Sequence, residues 1–143
     1  MMASKVLYTT QAKASGGGRD GNSATLDGAL AVTLAPPKEM GGSGDGNNPE
    51  QLFAVGYAAC YLGAMRFAAS SEKLGTVPDD ASVTSSVGIG PRDEGGFGLT
   101  VSLAVSMPGV DRAVAEKIIE RGHFICPYSN AIKGNLDVVT TLV

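Results

Sequence analysis

The strongest pattern in the chain lies between residues 49 and 73, where apolar side chains recur on nearly every helical face. Leu52, Phe53, Val55, Tyr57, Leu62, Met65 and Phe67 leave no broad polar stripe, which predicts a central helix covered on several sides. Its start is well marked. Asn48 suits a cap, Pro49 the first helical position, and Gln51 can reach back as in a capping box. Gly75 offers a left-handed stop just beyond Lys73. Even this segment falls short of the roughly 20 uninterrupted apolar residues of a membrane span, because Arg66 and the Glu72-Lys73 pair close it.

On either side the periodicity turns β-like. Residues 5–13 (KVLYTTQAK) are rich in β-formers and predict a strand, and residues 16–22 (GGGRDGN) a turn. Two short strands follow about the Asp27-Gly28 signal, and then a long glycine-rich loop. Residues 81–90 and 97–107 predict a hairpin around PRDEGG. Asp111 opens a second, amphipathic helix with Val114, Ile118 and Ile119 inward, ending near Gly122. The segment HFICPYSNAIKGN reads as a loop holding one helical turn at 129–133, and LDVVTTLV as a closing strand. The order βββ–α–ββ–α–β predicts a single α+β domain over residues 1–143, with antiparallel sheets packed on the central helix.

Composition narrows the function. With 43% apolar and 17% charged residues and a net charge of −3, the chain is globular and lacks the basic stripe that nucleic acid requires. MMASKVLYTT carries no charged start followed by an apolar block, so a cytoplasmic protein without a secretory signal is expected. Two cysteines, Cys60 and Cys126, are too few for a disulfide framework and wrongly spaced for zinc. With His123 the sole histidine, a metal centre would have to rest on carboxylates. No metal or bound cofactor is expected.

Cys60 sits inside the apolar helix, and an inert core thiol is the commoner fate of such a residue. Reactivity would need a cation to hold the thiolate. Cys126, in ICPYS, follows a helix end and precedes a proline, which predicts a mobile, partly exposed thiol. One thiol on a rigid helix and one on a loop is what a peroxidatic and resolving pair requires, although the sequence separation says nothing about distance. Arg19 lies in GGGRDG, where a solvated turn charge is the ordinary reading, yet the flanking glycines free the backbone to deliver the guanidinium inward. The helix dipole accounts for Glu50 in a first turn. His123 reads as a helix-terminal cation or a satisfied polar group, and no role is assigned to it.

NPEQLFAVGYAAC with Cys60, GHFICPYSNAIKGN with Cys126, and the early GGRDG with Arg19 together resemble the organic hydroperoxide resistance proteins, the Ohr branch of the Ohr/OsmC family, and the likeness runs along essentially the whole chain. That resemblance implies a thiol peroxidase that reduces organic, lipid-type hydroperoxides to alcohols, in an intertwined homodimer. It implies that Cys60 is the peroxidatic cysteine, that Cys126 resolves it as an intramolecular disulfide, that Arg19 activates the thiolate and that Glu50 holds Arg19. It further implies recycling by an external dithiol, dihydrolipoamide on a lipoylated protein, in preference to thioredoxin. Leu52, Phe53, Tyr61, Phe97, Phe124 and Ile125 are candidates for an apolar wall that selects the substrate. Glu50 and Cys60 are ten positions apart, about 15 Å of rise on a straight helix. One arginine bridges both only if the helix breaks, near Gly56, or if Arg19 and Glu50 come from the neighbouring subunit. The second is the expectation.

Overall fold

A computed structural model describes residues 1–143. Its elements are β1 (Ala12–Gly16), β2 (Gly21–Thr25), β3 (Ala31–Thr33), a 3-10 turn at Lys38–Met40, α1 (Pro49–Ser71), β4 (Ser82–Pro91), β5 (Phe97–Ser106), α2 (Arg112–Ile125), α3 (Pro127–Ile132) and β6 (Val139–Leu142). The fold is α+β with the expected order, and the helical turn expected at 129–133 is present as α3, Pro127–Ile132. The chain falls into two compact units, Met1–Leu52 and Phe53–Val143.

The first unit is built on the antiparallel sheet β1-β2-β3. The expected strand at 5–13 lies further along, at 12–16, and Val6, Leu7 and Tyr8 stand exposed. Turn chemistry overrules propensity here. Gly16 and Gly18 take positive φ, folding the β-poor AKASG back onto β2 in the register Gly16↔Gly21 and leaving Arg19 at the hairpin tip. The next turn forms as predicted: Asp27 Oδ1 accepts from Thr25 Oγ1 at 2.7 Å and from the Ala29 N–H at 2.9 Å.

The capping box at the start of α1 also forms as predicted. The Gln51 N–H donates to Asn48 Oδ1 at 2.8 Å, and the Asn48 N–H donates to Gln51 Oε1 at 3.1 Å. The far end differs. α1 stops at Ser71, and Lys73 rather than Gly75 takes the left-handed position, at φ 53°. The Leu74 N–H then reaches back to the Ala69 carbonyl at 3.0 Å, the long reverse bond of a Schellman ending.

In the second unit, β4 and β5 form the expected antiparallel hairpin, whereas β6 runs parallel to β5. A parallel neighbour needs a crossover, and the α2–α3 segment provides it. The core joins Tyr57, Tyr61 and Met65 of α1 to Leu103 and Val105 of β5, Ile118 of α2, and Cys126. By length and composition α1 would pass for a membrane-crossing helix. One face enters the core through Tyr57, Tyr61 and Met65, while Val55 and Phe67 stand exposed, so, against expectation, the helix is not covered on several sides. α2 does not end near Gly122 and continues to Ile125. Gly122 lets α2 lie close against α1: a β-carbon there would stand 2.7 Å from Met65 Cγ and 3.3 Å from the Tyr61 ring.

Gly122→Ala should therefore be destabilising. Helix propensity favours alanine by up to about 1 kcal/mol, but overpacking against two fully buried side chains typically costs about 1–3 kcal/mol. Chemical denaturation should show a net loss of about 1 kcal/mol; an unchanged or raised midpoint would mean that α1 and α2 can separate without penalty.

Candidate active site

Cys60 lies in the middle of α1 and is half-buried, while Cys126 is fully buried. This reverses the expectation of a mobile, partly exposed Cys126. The reason is local. α2 runs to Ile125 and α3 begins at Pro127, so Cys126 is a single extended residue between two helices. Its N–H donates to the Gly122 carbonyl at 2.8 Å, and its own carbonyl accepts from the Asn130 N–H at 2.9 Å. Pro127 at the first position of α3 forces the extended conformation on the residue before it.

The two sulfurs meet. The Cys126 thiol donates to Cys60 Sγ at 3.7 Å, and both cysteines are free. Burial pushes the Cys60 thiol up, the backbone N–H of Tyr128 pulls it back by bonding the sulfur, and the adjacent Cys126 raises it again. The site is thus a close dithiol whose outer sulfur is disfavoured as an anion by burial.

Aromatic rings frame it. Phe53, Tyr57 and Tyr61 recur every four residues along α1, and Tyr128 packs on Phe53 and Tyr57 at centroid distances of 6.0 and 5.8 Å. Gly56 makes room for this: a β-carbon there would stand 2.8 Å from Tyr128 Oη. The glycine serves packing, and the helix does not break at it; α1 is continuous from Pro49 to Ser71.

In the first unit Arg19 and Glu50 meet as a fork. Arg19 Nη2 donates to Glu50 Oε1 at 2.6 Å and Nη1 to Oε2 at 3.1 Å. The guanidinium holds the Glu50 carboxyl below the usual carboxylate range. The Glu50 side chain is only 11% exposed and Arg19 43%, so the carboxylate is the anchored member and the cation the accessible one.

The six apolar-wall candidates scatter. Tyr61 is fully buried in the core, with its hydroxyl donating to the Ile119 carbonyl at 2.8 Å. Phe53 and Ile125 border that core. Phe97 is exposed at the start of β5, and Phe124 is exposed beneath the Arg121 guanidinium at 4.2 Å. Leu52 is half-buried in the first turn of α1.

A polar constellation that the sequence reading left unassigned lies beside the sulfurs. Tyr57 Oη and Ser129 Oγ are 2.6 Å apart, Ser129 Oγ and His123 Nδ1 2.9 Å, and His123 Nε2 and Thr140 Oγ1 2.7 Å. Spacing alone carried part of the signal, since Tyr57 stands three residues before Cys60 and Ser129 three after Cys126. Nothing in the sequence linked Thr140 to either. No three His, Cys, Asp or Glu side chains gather as metal ligands.

A close pair of free thiols in an α+β fold, one mid-helix and one at a helix junction, is an arrangement on which thiol-redox chemistry can be built. Residues 42–141 match the OsmC-like protein family. The chain is 51% identical over 139 residues to the organic hydroperoxide resistance protein of Xanthomonas axonopodis pv. citri, covering 96% of both. The solved structure of an organic hydroperoxide resistance protein from Legionella pneumophila superimposes with a TM-score of 0.90 at 47% identity, over 96% of this chain and 98% of that one. OhrB of Bacillus subtilis gives a TM-score of 0.85 at 35% identity, over 96% of this chain and all of that one (100%). The chain belongs to the OsmC-like family, within its organic hydroperoxide resistance branch.

The Arg19–Glu50 fork predicts an acid-sensitive share of stability. Because Glu50 titrates lower when folded, the stability it contributes is complete above the unfolded carboxylate value of about 4.3 and is lost as pH falls through the lowered folded value. Solvent at Arg19 keeps the contribution near 0.5–1 kcal/mol. Glu50→Gln should cost about that much at pH 7 and almost nothing near pH 2, read by urea denaturation at both; an equal cost at both would assign the loss to something other than the ion pair.

Proposed function

We propose that this chain is a cysteine-based peroxidase that reduces organic hydroperoxides to alcohols and so protects against organic peroxide stress. The single observation that carries the proposal is the 3.7 Å approach of Cys60 and Cys126, supported by the names of its relatives. The Cys60 thiolate attacks the terminal oxygen of R–O–O–H, the O–O bond breaks, and the departing alkoxide takes a proton to become the alcohol. Cys60 is left as a sulfenic acid. The Cys126 sulfur then attacks Cys60, expelling hydroxide that leaves as water with the Cys126 proton, and a disulfide remains. An external dithiol, dihydrolipoamide on a lipoylated protein, restores both thiols and is itself oxidised to its disulfide.

Burial disfavours the Cys60 anion, so the mechanism needs a cation. In this proposal Arg19 supplies it, held by Glu50, and donates to the peroxide oxygens as charge develops on the leaving group. The unbroken α1 sets Glu50 about 15 Å along the axis from Cys60, which favours a guanidinium delivered from the partner in a homodimer. The surface of α1 supports such a partner. Val55, Ala59, Gly63 and Phe67 recur every four residues and are all exposed, a ridge of small and apolar side chains suited to a second helix. Apolar surroundings would favour alkyl peroxides over hydrogen peroxide by about 0.8 kcal/mol per buried CH₂.

Purified protein should consume cumene hydroperoxide with dihydrolipoamide as reductant, and hydrogen peroxide far more slowly. Cys60→Ser should abolish turnover, and Cys126→Ser should permit a single oxidation followed by accumulation of sulfinic acid. Turnover surviving Cys60→Ser would sink the proposal.

Arg19→Ala should raise the Cys60 pKa, read from the pH dependence of its alkylation, and slow peroxide attack by about 10²-fold. Attack at an unaltered rate in that variant would remove Arg19 from the mechanism.

A further inference from the structure

The chain Tyr57–Ser129–His123–Thr140 is a polar array, buried at Tyr57 and Ser129 and part-buried at His123 and Thr140, that the peroxidase steps leave unused. Its members come from α1, α3, α2 and β6, and so tie together the elements that carry both sulfurs. Tyr57 lies one helical turn before Cys60, and Ser129 one turn after Cys126. α1 and α3 are therefore joined along two lines, Sγ to Sγ at 3.7 Å and Tyr57 Oη to Ser129 Oγ at 2.6 Å.

Hydrogen bonds add to ring packing in holding α3, where Tyr128 lies on Phe53 and Tyr57. An open surface pocket of about 410 Å³ lies beside it, lined among others by Tyr57, His123, Ser129, Ile132 and Val138. The array is well matched for the task. Burial favours the neutral imidazole of His123, which offers one donor and one acceptor. Ser129 and Thr140 can satisfy these whichever way the protons run. The imidazole is also fixed against the Tyr61 ring, 4.5 Å between centroids.

This geometry matters at one step. Disulfide formation requires the sulfurs to close from 3.7 Å to about 2.05 Å, in competition with a second peroxide. In the first outcome Cys60–SOH and the Cys126 thiol give the disulfide and water. In the second, Cys60–SOH and R–O–O–H give the sulfinic acid and R–OH. The balance depends on where Cys126 is held.

We infer that Ser129 and His123, anchored by Thr140, are positioning residues for the resolving step: they hold Cys126 against Cys60 and so decide between disulfide and overoxidation. This rests on the peroxidase reading above. The test oxidises the reduced full-length chain with graded tert-butyl hydroperoxide, quenches with an alkylating reagent, and reads disulfide against sulfinic acid by intact mass.

Ser129→Ala, which cuts the array at its centre, should shift the sulfinic fraction toward about tenfold lower peroxide, while the first oxidation of Cys60 keeps its rate. Thr140→Val preserves a β-branched side chain in β6 and breaks only the far bond, so it should shift the fraction in the same direction but less. Thr140→Ser should restore it. If Ser129→Ala fails to fold, the Thr140 pair decides alone. Folded variants that partition as the unmodified chain does would overturn the positioning role and leave the peroxidase reading intact. An unmodified chain that forms neither product would remove the peroxidase reading, and this inference with it.

Discussion

The meeting of the two sulfurs depends on the seating of the α2–α3 junction against α1. Cys126 is fully buried there, and its place is fixed by backbone on both sides: the Gly122 carbonyl holds its N–H and the Asn130 N–H holds its carbonyl. Gly122 thus serves twice. It lets α2 approach Met65 and Tyr61, and it accepts the bond that orients the next turn. Because interiors are close-packed, a shift of α2 on α1 would carry the sulfur with it.

Charge is arranged on the opposite principle. Burial pushes Cys60 toward its neutral thiol, so the fold that brings the sulfurs together does not by itself ionise one. The Arg19–Glu50 pair joins a hairpin tip to a helix start. A thiol held neutral by burial is spared adventitious oxidation, since the thiolate is the form exposed to it.

The elements with local signals were legible in the sequence. The capping box of Asn48 and Gln51, the Asp27-Gly28 turn and the β4–β5 hairpin all follow from side chains that bond within a few residues. The errors arise where a distant contact decides. Gly122 looks like a helix stop until α1 is seen beside it, and Gly56 looks like a weak point until Tyr128 covers it. Val6, Leu7 and Tyr8 read as a strand, yet they find no partner strand in the sheets of this chain. Both cysteines and the Arg19–Glu50 pair were visible as residues, but the burial of Cys126 was not. Nor was the route from Tyr57 through His123 to Thr140, which joins four elements with no common motif.

The parallel pairing of β6 with β5 has a consequence for biosynthesis. Residues 139–142 leave the ribosome after both cysteines, and they bring the hydroxyl that completes the imidazole's bonding. A nascent chain therefore carries both cysteines, 66 residues apart in sequence, before the last hydroxyl of the array is in place. During that interval, protection from premature crosslinking would fall to the redox poise of the surroundings and not to the architecture.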